Sequence, residues 1–84
     1  MSAIVMYTTA YCPYCMRAKD LFDGKGVQYE NIDVGAEPEL KREMMDRSGQ
    51  RTVPQIWINE QHIGGFTDLY ALDVQGKLDG MLRK

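Results

Sequence analysis

Residues 11–15 read Tyr-Cys-Pro-Tyr-Cys and hold both cysteines of this 84-residue chain. The pair has Cys-x-x-Cys spacing, follows the apolar run 3–7 and precedes a stretch with helical periodicity, 12–23. Near a β-α-β pattern this spacing is typical of a redox site, because one turn of helix brings the second thiol back to the first. We therefore predict that the chain is organised around Cys12 as a reactive thiolate.

Hydrophobic patterning predicts four strands. Residues 3–7 form a continuous apolar run with β-branched and aromatic members, which is typical of a strand buried on both faces of a sheet. The alternating stretch 27–33 predicts a strand nearer the sheet edge. Residues 55–58 and 61–63 predict an antiparallel hairpin that turns at Asn59-Glu60.

Helices are predicted between these strands. The first covers 12–23 and the second covers 38–48. The third is predicted to begin near Leu69 with Asp68 as its N-cap. Ala71 and the leucines of this helix are predicted to face inward. A last short helical turn is predicted near the C-terminus. The first and second strands should be parallel, with a right-handed crossover. The fold class is therefore α/β, with a four-stranded mixed sheet flanked by helices.

Composition limits the classes of function. The chain is 44% hydrophobic and 26% charged with a net charge of −2, as expected for one globular domain over residues 1–84. Basic residues are spread along the chain, which argues against nucleic acid as a partner. The apolar run 3–6 is too short to cross a membrane, and the N-terminus lacks a secretory signal. We predict a cytoplasmic monomer that binds neither membrane nor nucleic acid.

The two cysteines are predicted to have different roles. A thiolate, not a thiol, attacks a disulfide, and an ordinary cysteine with a pKa of about 8.5 is mostly protonated at neutral pH. Helix N-termini and Cys-x-x-Cys motifs lower cysteine pKa values to about 3.5–7.5. Cys12, at the predicted helix N-terminus, is therefore the nucleophile. Cys15, on the apolar face one turn later, is the resolving thiol.

Two bland alternatives apply to this motif. A stabilising disulfide across so short a loop would contribute only about 2 kcal/mol on the chain-entropy model, and reducing conditions would open it. A zinc site needs four ligands, whereas the chain offers two cysteines and His62. We predict no metal site, and we interpret His62 as a half-exposed strand residue.

Two further segments are candidates for ligand binding. In Thr52-Val53-Pro54, a cis peptide bond would leave the Val53 backbone facing outward for pairing with an extended peptide; an ordinary trans strand-entry proline is the alternative. In 64–68, Gly-Gly-Phe-Thr-Asp, the glycines permit close backbone approach, and the following helix N-terminus offers donors to a carboxylate. A simple helix cap after a turn is the alternative there.

Together the motifs 12–15, 52–54 and 64–68, in this order and spacing, resemble those of the dithiol glutaredoxins, most closely the small bacterial type. The resemblance covers essentially the whole chain. It implies a thioredoxin-like fold, a cis peptide before Pro54, no bound cofactor, and glutathione as the reducing co-substrate. The family often has a lysine three residues before the first cysteine, where this chain has Thr9.

The resemblance also implies site residues. Cys12 forms a mixed disulfide with glutathione, the Val53 backbone pairs with the cysteinyl part, and residues 67–68 hold the γ-glutamyl end. Lys41 and Arg51 approach the glycine carboxylate, and Tyr14 flanks the sulfur. The implied glutathione-binding set is Tyr14, Lys41, Arg51, Thr52, Val53, Pro54, Gly65, Thr67 and Asp68.

The sequence thus predicts a glutathione-dependent thiol–disulfide oxidoreductase that reduces protein disulfides and glutathione mixed disulfides. Its partners would be glutathione and disulfide-containing or glutathionylated client proteins, ribonucleotide reductase among them. Two alternatives stay open. In the first, the chain is a redox carrier that a flavoprotein reductase recharges. In the second, it is a module that holds an iron–sulfur cluster between two monomers.

Overall fold

Four strands and four helices make up residues 3–83, the part of the chain that the computed structural model describes. The strands are β1 Ile4–Thr8, β2 Glu30–Asp33, β3 Gln55–Ile58 and β4 Gln61–Gly64. The helices are α1 Pro13–Gly24, α2 Pro38–Ser48, α3 Phe66–Val74 and α4 Leu78–Leu82. This is the predicted order of elements. Met1, Ser2 and Lys84 of the predicted 1–84 domain lie outside the described residues.

The sheet has the strand order β2-β1-β3-β4. β1 and β2 are parallel, whereas β3 is antiparallel to both β1 and β4. The β3–β4 turn at Asn59-Glu60 has positive φ at both residues, 52° and 70°, as a tight two-residue hairpin turn requires. The predicted edge strand 27–33 is shorter than expected. It begins at Glu30, because pairing with the parallel neighbour begins only at Val5 opposite Glu30.

Both faces of the sheet are covered, which confirms the buried first strand. On one face Ile4 and Met6 pack with apolar side chains of α1, α3 and α4. On the other face Tyr7 packs with Trp57 and with Met44 of α2. Each fully buried side chain of this kind contributes roughly 1.5–3 kcal/mol relative to exposure. The sheet, packed on both faces, therefore carries the turns at its end.

The third helix differs from the prediction. It begins at Phe66 rather than near Leu69, so Asp68 lies inside its first turn instead of capping it from ahead. The Asp68 carboxylate accepts a hydrogen bond from the Gly65 backbone N–H at 3.0 Å, which satisfies a donor at the helix start. Ala71, predicted to face inward, is exposed, while Leu69 is fully buried.

Strand register brings three turns to one edge of the sheet. β1 ends at Thr8, and its neighbour Tyr7 lies opposite Gln55, the first residue of β3. Gly64, the last residue of β4, lies opposite Ile56. The turn after β1, the turn before β3 and the turn after β4 therefore meet. These turns carry the three motifs of the sequence.

Candidate active site

The two thiols of the Cys-x-x-Cys turn lie in different environments. Cys12 is half-exposed and is the N-cap of α1, with Pro13 as the first helical residue. Cys15 is fully buried, and both side chains are free thiols. Cys12 Sγ accepts a hydrogen bond from the Cys15 backbone N–H at 3.3 Å and lies 3.6 Å from the Val53 carbonyl oxygen. The accessible sulfur thus points at a helix N-terminus, which stabilises negative charge.

Burial keeps the second thiol protonated. Desolvation, supported by a side-chain hydrogen bond with Cys12, raises the pKa of the Cys15 thiol to about 12, while a backbone hydrogen bond from Thr9 acts in the opposite direction. A buried group ionises with difficulty because its charge loses the solvation of water. Cys15 is therefore a neutral proton donor beside Cys12 in the reduced protein.

This environment predicts an alkaline loss of stability. Between pH 9, where an unfolded cysteine ionises, and pH 12, where Cys15 ionises in the fold, the unfolded state binds fewer protons than the native state. The contribution of neutral Cys15 to the free energy of unfolding is complete below pH 9 and is lost as the pH rises toward 12. Urea titrations across this range measure it. A Cys15→Ala variant should show a smaller decline, and an equal decline would contradict the assignment to Cys15.

A cavity of about 200 Å³ lies beside the thiol turn. Its lining residues are Tyr14, Gln50, Thr52, Val53, Pro54, Gly65, Phe66, Thr67 and Asp68. The Val53–Pro54 peptide bond is cis, as the resemblance implied, and the trans alternative is wrong. Gln50 and Phe66 were missed by the sequence analysis. Phe66 could have been found from its place inside the 64–68 motif, whereas Gln50 has no distinctive sequence signal.

The structure does not bring the two predicted basic residues into this cavity. Lys41 and Arg51 are exposed and line a separate groove with Pro38, Arg42 and Met45. Its volume is about 520 Å³. The predicted binding set is thus divided between a small cavity next to Cys12 and a basic groove between α2 and the segment before β3.

Two glycines allow the start of α3 to approach the cavity. Gly64 has φ +117°, and a Cβ atom there would collide with the Asp68 carboxylate. At Gly65 a Cβ atom would lie only 3.4 Å from the carbonyl oxygen of Pro54. Glycine is required at the first of these positions, because L side chains rarely adopt this backbone and no space remains for one.

Aromatic side chains flank the same cavity. The Tyr14 and Phe66 ring centroids are 6.3 Å apart, and the Phe66 ring stacks on Tyr70 at 5.7 Å. The Arg17 guanidinium lies 5.4 Å from the Tyr14 ring centroid. Tyr14 and Tyr70 are both more than half exposed. The wall of the cavity is therefore apolar on the side of α1 and α3.

The remaining sequence candidates lie elsewhere. His62 is half-buried on β4, as predicted, and its ring packs on Trp57 with centroids 4.7 Å apart. Thr9, where the family often has lysine, is half-buried directly after β1. Within residues 3–83, no three or more His, Cys, Asp or Glu side chains are grouped to hold a metal ion. None of the helices in this described part has the length and apolar character needed to cross a membrane.

A mixed sheet flanked by helices, a Cys-x-x-Cys turn at a helix N-terminus and a cis-proline opposite the thiols define a thioredoxin-like thiol–disulfide oxidoreductase. The glutaredoxin family model matches residues 4–63. The chain is 52% identical to a glutaredoxin of Pseudomonas aeruginosa over 98% of each chain. It is 48% identical to glutaredoxin 3 of Escherichia coli K12, over 99% of this chain and 100% of that one.

Solved structures agree with this comparison. The crystal structure of a buckwheat glutaredoxin–glutathione complex superposes with a TM-score of 0.91 at 35% identity, covering 98% of this chain and 77% of that chain. This chain belongs to the glutaredoxin family. Glutaredoxins are thiol–disulfide oxidoreductases that use glutathione, and this chain is therefore an enzyme of that class.

Proposed function

We propose that this protein uses glutathione to reduce protein disulfides and protein–glutathione mixed disulfides, with Cys12 as the nucleophile and Cys15 as the resolving thiol. The observation that supports this most is the position of Cys12. Its half-exposed sulfur accepts the Cys15 N–H at the start of α1, and Val53 of the cavity wall is its neighbour. Burial of Cys15 supports its use only after Cys12 has reacted.

The chemistry consists of thiol–disulfide exchanges that balance in sulfur and electrons. The Cys12 thiolate attacks the glutathione sulfur of a mixed disulfide, and the client thiolate leaves with its electron pair. A second glutathione thiolate then attacks this sulfur, which releases glutathione disulfide and restores the Cys12 thiolate. With a client disulfide, the Cys12 thiolate attacks one client sulfur, and the other client sulfur leaves as a thiolate. Cys15 then gives its proton to that thiolate and attacks the Cys12 sulfur, which breaks the mixed disulfide and frees the reduced client. Two glutathiones then reduce the Cys12–Cys15 disulfide.

Glutathione is proposed to lie along the 200 Å³ cavity. Its cysteinyl backbone would pair with Val53, in the manner of an added strand. Its γ-glutamyl carboxylate would meet the first N–H groups of α3, and its ammonium would meet the Asp68 carboxylate. Lys41 and Arg51 would attract the glycine carboxylate from the adjacent basic groove. The buckwheat complex supports glutathione as the ligand of this fold.

Replacing Asp68 by asparagine tests this placement. The asparagine side chain keeps an acceptor for the Gly65 N–H but lacks the charge that would hold the glutathione ammonium. Hydrogen bonds to charged groups contribute about 1.5–3 kcal/mol, so we expect KM for a glutathionylated peptide to rise roughly tenfold to a hundredfold. The kcat should change by less than about threefold, because the reacting sulfurs are untouched. Steady-state kinetics with glutathione and a glutathionylated peptide measure both.

Asp79→Asn is the matched control, since it removes the same charge from Asp79 of α4, which forms an ion pair with Lys25. Its KM should equal that of the native chain. Equal KM values for Asp68→Asn and the native protein would remove Asp68 from the binding site. Failure of the native protein to use glutathione at all would overturn the proposed function itself.

Other sequence predictions stay predictions and have direct tests. Ribonucleotide reductase as a client is tested by reconstituting its turnover with glutathione. Recycling by a flavoprotein reductase but not by glutathione would favour the carrier alternative. Colour and iron in anaerobically purified protein would favour the iron–sulfur alternative. A single domain over residues 1–84, monomeric state and cytoplasmic location are tested by limited proteolysis, light scattering and fractionation.

A further inference from the structure

Gln55, the first residue of β3, is a fully buried amide directly after cis-Pro54. Its Nε2 donates to the Thr52 carbonyl oxygen at 3.0 Å and lies 3.2 Å from both Thr52 Oγ1 and Gln50 Oε1. Its Oε1 lies 2.8 Å from His62 Nε2. A buried amide needs such partners, because an unpaired one costs free energy comparable to a lost hydrogen bond.

The partners fix the direction of this amide. The Thr52 carbonyl oxygen can only accept, so the Gln55 NH₂ group must face it and the Gln55 oxygen must face His62. His62 Nε2 therefore carries a hydrogen and donates it. The imidazole is held in place by its packing on Trp57, which is itself buried. The Thr52 carbonyl on one side and a histidine on β4 on the other thus hold a glutamine beside the cavity in one orientation.

Holding the Thr52 carbonyl also orients the next N–H group. The Thr52–Val53 peptide is planar and trans, so its N–H points opposite to its C=O. With the Thr52 oxygen bonded inward to Gln55, the Val53 N–H points away from Gln55. Gln50, Thr52 and Val53 all line the cavity, so the anchored segment is one of its walls.

We infer that Gln55, oriented by His62, is a positioning residue that presents the Val53 N–H to the backbone of the bound thiol substrate. This rests on the proposed function, because the bound backbone is that of glutathione. Gln55 is sealed from the cavity at 0% exposure and acts only through Thr52 and Gln50. Substrate affinity at this wall therefore depends on a side chain that the substrate never touches.

Gln55→Met tests the inference, since methionine has a similar length but no amide. With Thr52 released, the Val53 N–H loses its fixed direction, and one backbone hydrogen bond to substrate is weakened. We expect KM for a glutathionylated peptide to rise roughly threefold to tenfold, with kcat within about twofold of native. His62→Phe keeps an aromatic ring over Trp57 but removes the donor to Gln55, and it should raise KM in the same direction.

Two controls separate positioning from stability. Gln28→Met makes the same side-chain change at an exposed site away from the cavity, and its KM should be native. Leu82→Ala should lower the free energy of unfolding by truncating a half-buried side chain of α4, again with a native KM.

Substitution by glutamate, Gln55→Glu, keeps the acceptor for His62 but lacks the donor to Thr52, so it should behave like Gln55→Met. Substitution by asparagine should not restore KM, because its shorter amide cannot span both partners.

A native KM in Gln55→Met, with lowered thermal stability like that of Leu82→Ala, would overturn the inference and leave Gln55 a purely structural residue. If Gln55→Met does not fold, His62→Phe decides, and a native KM there overturns the inference equally. Failure of the proposed function is distinguishable, since the native protein would then show no glutathione-dependent turnover to compare.

Discussion

Replacing Cys12 by serine should reduce kcat/KM by at least about a thousandfold, both for a glutathionylated peptide and for a protein disulfide. Serine has no thiolate and cannot form the mixed disulfide on which both reactions depend. The fold should persist, because serine is a favoured N-cap and its oxygen can accept the Cys15 N–H that Cys12 Sγ accepts now. Assays with glutathione as the sole reductant measure the loss, and circular dichroism checks the helices.

Met16→Leu is the matched control on the same helix, because Met16 is 59% exposed and lies directly after Cys15. Its activities should be native. Residual turnover of either substrate by Cys12→Ser, above a few per cent of native, would show that Cys15 or another group is the nucleophile. The proposed order of attack would then be wrong.

Cys15→Ser should separate the two reactions. Removal of glutathione from a peptide should stay within about threefold of native, because a second glutathione resolves the Cys12 mixed disulfide. Reduction of a protein disulfide by the two-thiol route should fall at least about a hundredfold, since the intramolecular attack and its high effective concentration are lost. Parallel assays of both substrates measure the ratio.

A buried hydroxyl complicates this variant, because Cys15 is 0% exposed and an unpaired polar group there costs about 1–3 kcal/mol. Cys15→Ala provides the second variant without a new polar group. Both variants should show the same ratio of the two activities. If either retained native reduction of protein disulfides, Cys15 would not be the resolving thiol.

The sequence determined the elements most reliably where local rules act strongly. Pro38 and Gly49 bound α2 as predicted, because proline suits the first helical turn and glycine adopts the left-handed φ of 72° after its end. A local rule also predicts the start of the third helix, but near Leu69, whereas α3 begins at Phe66. Asp68 is a residue type favoured at the N-cap, but in the structure its carboxylate accepts the Gly65 N–H from inside the first turn. The sequence alone does not distinguish these two positions, because both place an acidic residue at the helix start.

The short edge strand shows a second limit of local pattern. Residues 27–33 alternate as a strand should, yet only Glu30–Asp33 pair with β1. Val27 and Tyr29 lie ahead of that pairing but still pack against the core, so their apolar character reflects burial and not strand structure. Alternation reports which side chains are buried, while register decides which backbone groups find partners.

By itself, the sequence predicted a redox site at Cys12 and Cys15 and identified the motifs that accompany it, because spacing along a helix and turn-forming residues act locally. Only the tertiary structure decided which motif residues share a space. Antiparallel register joins the cis-proline turn to the thiol turn, while it leaves Lys41 and Arg51 in a neighbouring groove. The role inferred for Gln55 likewise cannot be predicted from sequence, since its partner His62 belongs to another strand. Their hydrogen bond matters because Gln55 is fully buried and no water can replace the partner.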